Sequence, residues 1–384
     1  MQVLNSAFGS LGSGLFTAAA FLFVLSIVVV IHELGHFQVA RWCGVKVDEF
    51  AMGFGREIYG WHDKKGTRWR INWIPLGGYV KFMDDSNGAS MPDAAAIEAM
   101  SAEERATSFH AKPLWQRAAV IVAGPLANFI LAIGILAAIF MTYGVPTTPA
   151  LVDEVIEGGA AFKAGLKAGD KVIAIDGKAI ESFSDLQRVV SSNPDVKLQL
   201  TYLRGGEANT VQLTPERKEI PDGFGGTMRL GMLGIKRANV ATDWTYKRYG
   251  FFDAIGLGVT ESAFFVERNL SYIRDIFIGR EKADQLGGPI RIADAAGKVA
   301  SAGIVPLLHL TAMISLSVGL FNLFPIPPLD GGHLLFYGAE AIRRRPLSET
   351  TQGVGFRVGL AFILMLAIFA FWNDLGIVRR WMGG

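Results

Sequence analysis

Cysteine is nearly absent from this chain: Cys43 is the only one in 384 residues. A single thiol excludes an internal disulfide and argues against a cysteine-built metal site. Charge is scarce as well. Lys, Arg, Asp and Glu make up 19% of the residues, against about 25% in ordinary soluble domains. None of the four occurs between Met1 and Ile31. The net charge of +2 gives no broad basic surface, so nucleic acid is not expected as a partner. A basic stretch ahead of the first apolar run is missing, and that run does not end at a small-residue cleavage site. Both absences argue against a cleaved signal peptide. What the chain has in quantity is apolar residues, at 51% with a mean hydropathy of +0.32. That balance implies several membrane spans.

A helical span needs about 20 apolar residues. Four segments qualify, at roughly 14–45, 118–145, 304–326 and 354–372. A fifth apolar stretch, 251–277, carries Asp253, Glu261, Glu267, Arg268 and Arg274. It reads as an amphipathic helix lying on the membrane surface, with Glu261 and Glu267 on its solvated face. Residues 46–112 contain nine Lys and Arg, and Arg343, Arg344 and Arg345 follow the third span. The positive-inside rule puts both groups on the cytoplasmic side and the two termini outside. Arg379 and Arg380 are a weak vote the other way.

Between the second and third spans the pattern changes. Short β-rich runs at 151–156, at 171–175 before Asp176-Gly177, and at 197–204 before Gly205-Gly206 surround one helix at 184–191. They describe a small soluble α+β domain on the outer side. The divisions expected are an N-terminal membrane core (1–148), this domain (149–236), amphipathic outer-surface helices (237–303) and a C-terminal membrane core (304–384). The core's cytoplasmic side should also carry an amphipathic β-hairpin over 54–82. There Arg68-Trp69-Arg70-Ile71-Asn72-Trp73 alternates and Lys64-Lys65-Gly66 can turn.

The end of the first apolar run reads His32-Glu33-Leu34-Gly35-His36. In a helix, residues four apart share a face, so two imidazoles can hold one metal with a carboxylate beside them. The motif alone arises by chance, but ionisable groups at membrane depth are costly and need a purpose. At about 1.5 Å per residue, His32 lies roughly 25 Å along the helix, toward the cytoplasmic face. A catalytic zinc site wants three protein ligands and one open position. The third should be a His, Asp or Glu near another span. Asp330 is the best candidate, where Pro325, Pro327 and Pro328 break the third span and Gly331 and Gly332 permit close backbone approach. His333 competes for the same role. His62, His110 and His309 have bland structural readings. Glu33 is the candidate base for metal-assisted hydrolysis of a peptide bond.

The two motifs, in this order on the first and third spans with an outer domain between, resemble the site-2 protease family of intramembrane zinc metalloproteases. The closer similarity is to its RseP-type bacterial branch (regulator of sigma-E protease). Gly124-Pro125-Leu126-Ala127-Asn128-Phe129 and Gly287-Gly288-Pro289-Ile290 also match. The resemblance implies an α-helical polytopic membrane protein of four spans, zinc on His32, His36 and Asp330, and Glu33 as base. It further implies a substrate contact at Asn322 and a membrane-associated β-element at 54–82. The best-known enterobacterial member has two tandem PDZ domains, whereas this chain has room for one.

The outer domain resembles a circularly permuted bacterial PDZ domain. The residues that carry this are Gly158-Gly159-Ala160-Ala161, Ala164 to Asp170, Ile175-Asp176-Gly177-Lys178, and Leu230 to Ile235. A PDZ groove takes an extended chain end by strand addition. Here it would be lined by Met232, Leu233, Ile235, Leu186 and Val190. Expected substrates are single-span proteins of the bacterial inner membrane, such as anti-sigma factors already trimmed by an outer-side protease, or remnant signal peptides. Two other readings stand beside this one. A non-catalytic PDZ scaffold with a vestigial metal site has no need of Glu33. A metal transporter would spread its ligands along a path instead of gathering them at one depth.

Overall fold

The computed structural model describes residues 2–84, 100–221, 227–237, 245–280, 283 and 287–381. Helix α1 (Gln2–Trp42) is followed by two long strands, β1 (Val47–His62) and β2 (Arg68–Phe82), then by α2 (Ala102–Thr107) and α3 (Leu114–Thr142). Next come β3 (Val145–Thr147), β4 (Glu154–Val155), α4 (Ala160–Lys163), β5 (Lys171–Ile175), β6 (Lys178–Ala179) and α5 (Phe183–Ser192). Strands β7 (Leu198–Arg204), β8 (Glu207–Leu213), β9 (Glu216–Pro221), β10 (Thr227–Met232), β11 (Ile235–Lys236) and β12 (Thr245–Lys247) follow. Helices α6 (Phe251–Phe277), α7 (Pro289–Ala302), α8 (Ile304–Asn322), α9 (Asp330–Arg343) and α10 (Glu349–Trp381) come last. The chain forms two compact units. One is Met1–Ala137 with Ile255–Leu270 and Leu286–Gly384, and the other is Ala138–Ala254 with Ser271–Gln285.

In the first unit, Gly14–Trp42, Leu114–Thr142, Ile304–Asn322 and Thr350–Leu375 mark helices long and apolar enough to cross a membrane. These are the four spans read from sequence, with shifted ends. The third stops at Asn322 rather than at 326, because a residue ahead of a proline avoids helical geometry and Pro325 begins a proline-rich turn. Helix α10 leaves Val354, Phe362, Ile368 and Trp372 exposed, a surface suited to lipid. It is held at two places. Gly355 packs against the Phe336 ring of α9, and Gly359 against the loop before it, where a Cβ would overlap the Pro327 carbonyl. Further along, buried Asp374 accepts from the backbone N–H groups of Gly288 (3.0 Å), Ile290 (3.1 Å) and Arg291 (3.1 Å). Those are unpaired donors at the start of α7, so the carboxylate caps that helix.

The expected hairpin over 54–82 is larger and folds differently. Both strands bend in the middle. Residues 49–52 pair on one side with 78–81 and on the other with 68–71, and residues 57–62 pair with 68–72. The result is a four-segment sheet in the order 77–82, 47–52, 68–72, 57–62, begun seven residues before the sequence suggests. Trp69 and Phe50 (ring centroids 4.4 Å) pack on Phe37 of α1, and the Arg41 guanidinium lies 4.3 Å over the Phe37 ring. Arg41 also pairs with Asp63 in the turn. Aromatic burial and this ion pair fix the sheet to the end of α1, which leaves the 77–82 segment beside the motif.

The second unit holds a four-stranded sheet in the order β6-β5-β7-β8, with α5 started by a Ser182–Asp185 capping box. Its turns fall at Asp176-Gly177 and Gly205-Gly206, as the sequence indicates. Asp176, Gly177, Gly205 and Gly206 have φ of 46°, 77°, 60° and 92°. A tight two-residue hairpin needs positive φ at both central positions, which glycine adopts without cost. Val152, Val172, Ile175, Leu186, Leu200 and Leu213 form the core.

Candidate active site

Three helical residues supply the converging polar groups. His32 and His36 sit one turn apart on α1, both buried, with ring centroids 4.8 Å apart and edge to face. Their Nε2 atoms are 3.2 Å apart. Asp330 reaches them from the first turn of α9. Its Oδ2 is 3.1 Å from His32 Nε2, and its Oδ1 is 3.5 Å from His36 Nε2. Among the described residues this is the group of His, Cys, Asp and Glu whose donor atoms converge.

The donor set fits zinc. With metal–ligand distances near 2.1 Å, a tetrahedral site spaces its ligand atoms about 3.4 Å apart. The Nε2–Nε2 edge of 3.2 Å and the His32 Nε2–Asp330 Oδ2 edge of 3.1 Å are close to that spacing, His36 Nε2 lies 3.5 Å from the other carboxylate oxygen, and one ligand atom from each residue falls within 4.8 Å of the rest. Asp330 Oδ2 is buried without a hydrogen-bond partner, a lone-pair donor aimed at its neighbours. Burial pushes the Asp330 carboxyl up, and its contacts with the two imidazoles pull it below the usual carboxylate range.

Helix α3 sets the imidazoles. His36 Nδ1 lies 2.8 Å from the Val120 carbonyl. A carbonyl only accepts, so Nδ1 donates and Nε2 keeps its lone pair. Gly124, one turn on, leaves the space that the His36 ring fills. Asn128, another turn on, lies 3.2 Å from His32 Nδ1. Gly35 lets α1 meet the Ala123 backbone, and Gly319 lets α8 meet Pro125. The three helices therefore cross at small residues, close enough for these contacts.

Glu33 lines the same cavity of about 360 Å³, with Val29, Gly78, Val80, Asn322, Asp330 and His333. Its carboxylate accepts from the Val80 backbone N–H on the sheet's edge segment. Gly78 sits against its Cγ with no side chain between. Asn322 Nδ2 lies 3.4 Å from His32 Nε2. His333 lines the cavity and packs edge-on to Phe356, at 5.4 Å, instead of joining the converging donors. His32, Glu33, His36, Asp330 and Asn322 thus come together as the sequence suggests. The segment 124–129 and the β-element at 54–82 stand out in the sequence, but the parts played by Gly124, Asn128 and the Gly78–Val80 edge do not. An amide in the middle of an apolar span was the available signal for Asn128.

The groove residues expected in the 149–236 domain require a correction. Leu186, Val190 and Leu233 are buried in the domain's own core, and Ile235 packs against it. A Cβ on Gly231 would overlap the Val190 carbonyl, so β10 and α5 touch backbone to backbone there. These side chains close a seam and do not line an open channel.

The family model for peptidase family M50 matches residues 20–366. The chain belongs to peptidase family M50. A Rhizobium meliloti protein named as a candidate zinc metalloprotease is 43% identical over 369 residues, covering 96% of this chain and 98% of its own. An Agrobacterium fabrum protein named in the same way is 45% identical over 92% of this chain and 94% of its own. Metalloprotease MmpA of Caulobacter vibrioides is 39% identical over 94% of this chain and 96% of its own. The PDZ domain of an SdrC-like protein from Listeria monocytogenes is a structural neighbour over 25% of this chain. At 20% identity and a TM-score of 0.20, that likeness carries no argument. This M50 peptidase is a membrane protein and a zinc metalloprotease.

Proposed function

We propose that this M50 peptidase hydrolyses peptide bonds inside the membrane-spanning helix of single-span substrates, the second cut in regulated intramembrane proteolysis. The observation that carries the reading is the placement of His32, Glu33 and His36 opposite Asp330, on and between helices apolar enough to cross a bilayer.

His32, His36 and Asp330 would hold the zinc. Bound there, zinc supplies the Lewis acidity that makes water a nucleophile near neutral pH. Glu33 takes the proton from the attacking water and returns it to the leaving amine. Asn322, at the cavity wall, donates to the scissile carbonyl oxygen as that atom gains charge. A substrate helix must unwind to present its backbone. Residues 77–82 form an edge segment beside Glu33, and an edge segment can pair with an extended chain.

The Lys and Arg distribution supports a site near the cytoplasmic face of a bacterial inner membrane, with the outer domain and both termini on the periplasmic side. Substrates would be anti-sigma-factor-type proteins and remnant signal peptides, handed on after an outer-side protease has trimmed them. The bilayer is the working solvent, and nucleic acid has no part. The test is cleavage of a tagged single-span substrate in nanodiscs. Glu33→Gln should lose about 10²-fold or more in rate while keeping its zinc. Cutting at the wild-type rate by that variant would remove Glu33 from the mechanism.

A further inference from the structure

Asn128 is fully buried in the middle of α3, and its side-chain oxygen has no hydrogen-bond partner. A buried amide oxygen left unpaired is destabilising, so the orphan needs an account. The other end of the same amide does have a neighbour: Nδ2 lies 3.2 Å from Nδ1 of His32. With Nδ2 on that side Nδ1 would have to accept, and the ring's proton would have to lie on Nε2. That is the nitrogen 3.1 Å from Asp330 Oδ2 and 3.2 Å from His36 Nε2. A nitrogen that carries a proton cannot ligate a metal.

For His32 to ligate through Nε2, the single proton of the neutral ring must sit on Nδ1. Nδ1–H then needs an acceptor. A half-turn of the Asn128 amide exchanges its oxygen and nitrogen within one outline and supplies that acceptor. The same helix already serves the other imidazole in this way, since His36 Nδ1 donates to the Val120 carbonyl at 2.8 Å. Val120, Gly124 and Asn128 are four residues apart, on one face of α3. The face meets both rings: a carbonyl for His36, a gap for its ring, an amide for His32.

We propose that Asn128 is a positioning residue for His32: its amide oxygen accepts the Nδ1 proton and so keeps the Nε2 lone pair free for zinc. The proposal rests on His32 being a ligand, and His32→Ala tests that separately by loss of zinc from the folded protein. If His32→Ala keeps its zinc, the ligand assignment fails and this proposal falls with it.

The experiment uses the full chain in detergent, with zinc affinity read by competition against a fluorescent chelator. Asn128→Leu, which keeps the volume and removes the acceptor, should weaken zinc binding about 10–100-fold, whereas Asn128→Asp, which restores an acceptor oxygen, should stay within about threefold of wild type. A purely structural role predicts the opposite order, because a buried carboxylate disturbs packing more than leucine does. Ser315→Ala is the control. It removes the hydroxyl that donates to the Asn128 backbone carbonyl (2.8 Å) and leaves the amide in place, so zinc affinity should hold. A second readout needs no variant. In zinc-loaded wild type with ¹⁵N-labelled histidine, the His32 Nδ1 proton should be hydrogen-bonded and slow to exchange. Wild-type zinc affinity in Asn128→Leu, equal losses in the Leu and Asp variants, or a freely exchanging Nδ1 proton would each overturn the proposal.

Discussion

Gly124 and the imidazole of His36 share one space: a Cβ on Gly124 would overlap Nε2 of the ring. The Val120 carbonyl holds His36 Nδ1 from the turn before, so the ring is tied to the same helix that leaves it room. The consequence is direct. Gly124→Ala should push the His36 ring off its seat and cut zinc affinity about tenfold or more. Gly134→Ala, on the same helix with open space around it, should leave metal content at the wild-type level. Metal analysis after dialysis against a chelator separates the two. Equal zinc in both variants would mean that the ring can move without cost.

Asp330→Ala should lower zinc occupancy and activity together, since two imidazoles alone hold the ion poorly. His333→Ala should keep its zinc, because that ring packs on Phe356 outside the converging donors. Loss of zinc from the His333 variant with retention in the Asp330 variant would exchange their roles.

Arg117 and Glu340 form a mostly buried ion pair at 2.5 Å between the start of α3 and the end of α9. The guanidinium also lies over the Tyr337 ring (4.9 Å) and donates to the Lys112 carbonyl (3.2 Å). Removing one partner strands a charge, so Arg117→Leu or Glu340→Leu should each cost about 3 kcal/mol. The double variant should be more stable than either single one. Thermal unfolding followed by intrinsic fluorescence measures the coupling, and strictly additive losses would show that the pair is not a unit.

Asp63 gives a pH signature. Burial pushes its carboxyl up, but the Trp69 indole (3.1 Å), the Lys65 and Thr67 backbone amides (2.9 and 3.2 Å) and Arg41 pull it down to about 2. A carboxyl held below its unfolded value, about 3.9, favours the folded state once ionised. Its contribution is therefore complete above about pH 4 and is lost as pH falls toward about 2. Asp63→Asn should melt at a lower temperature than wild type at pH 6, and the gap should close on acidification. A gap that stays constant from pH 6 to pH 2.5 would show that the charge of Asp63 does not hold the turn.

Much of the site could be read from sequence because its chemistry is local. His32, Glu33 and His36 share one helical turn, and an apolar run makes them conspicuous. Asp330 stood out through the prolines and glycines around it. Gly124 and Asn128 stood out only as part of a matching segment; their contacts with the two imidazoles were not legible, because these depend on how α1 crosses α3. The sheet shows the same limit. Alternation in 68–73 announced a strand, but it could not show that residues 49–52 pair on both sides. Leu186, Val190 and Leu233 failed for a related reason: an apolar side chain in a groove and one in a core follow the same periodicity.

The loop carrying Asp330 does not stand by itself. Gly359, almost thirty residues beyond the last candidate ligand, lies flush on the Pro327 backbone, where even a methyl group has no room. The smallest fragment able to hold the metal is therefore longer than the smallest fragment containing its ligands. A chain cut after Arg345 would keep every donor atom yet lose the wall against which the third one is set. Attempts to reduce this enzyme to a minimal catalytic core should keep α10 at least through that glycine.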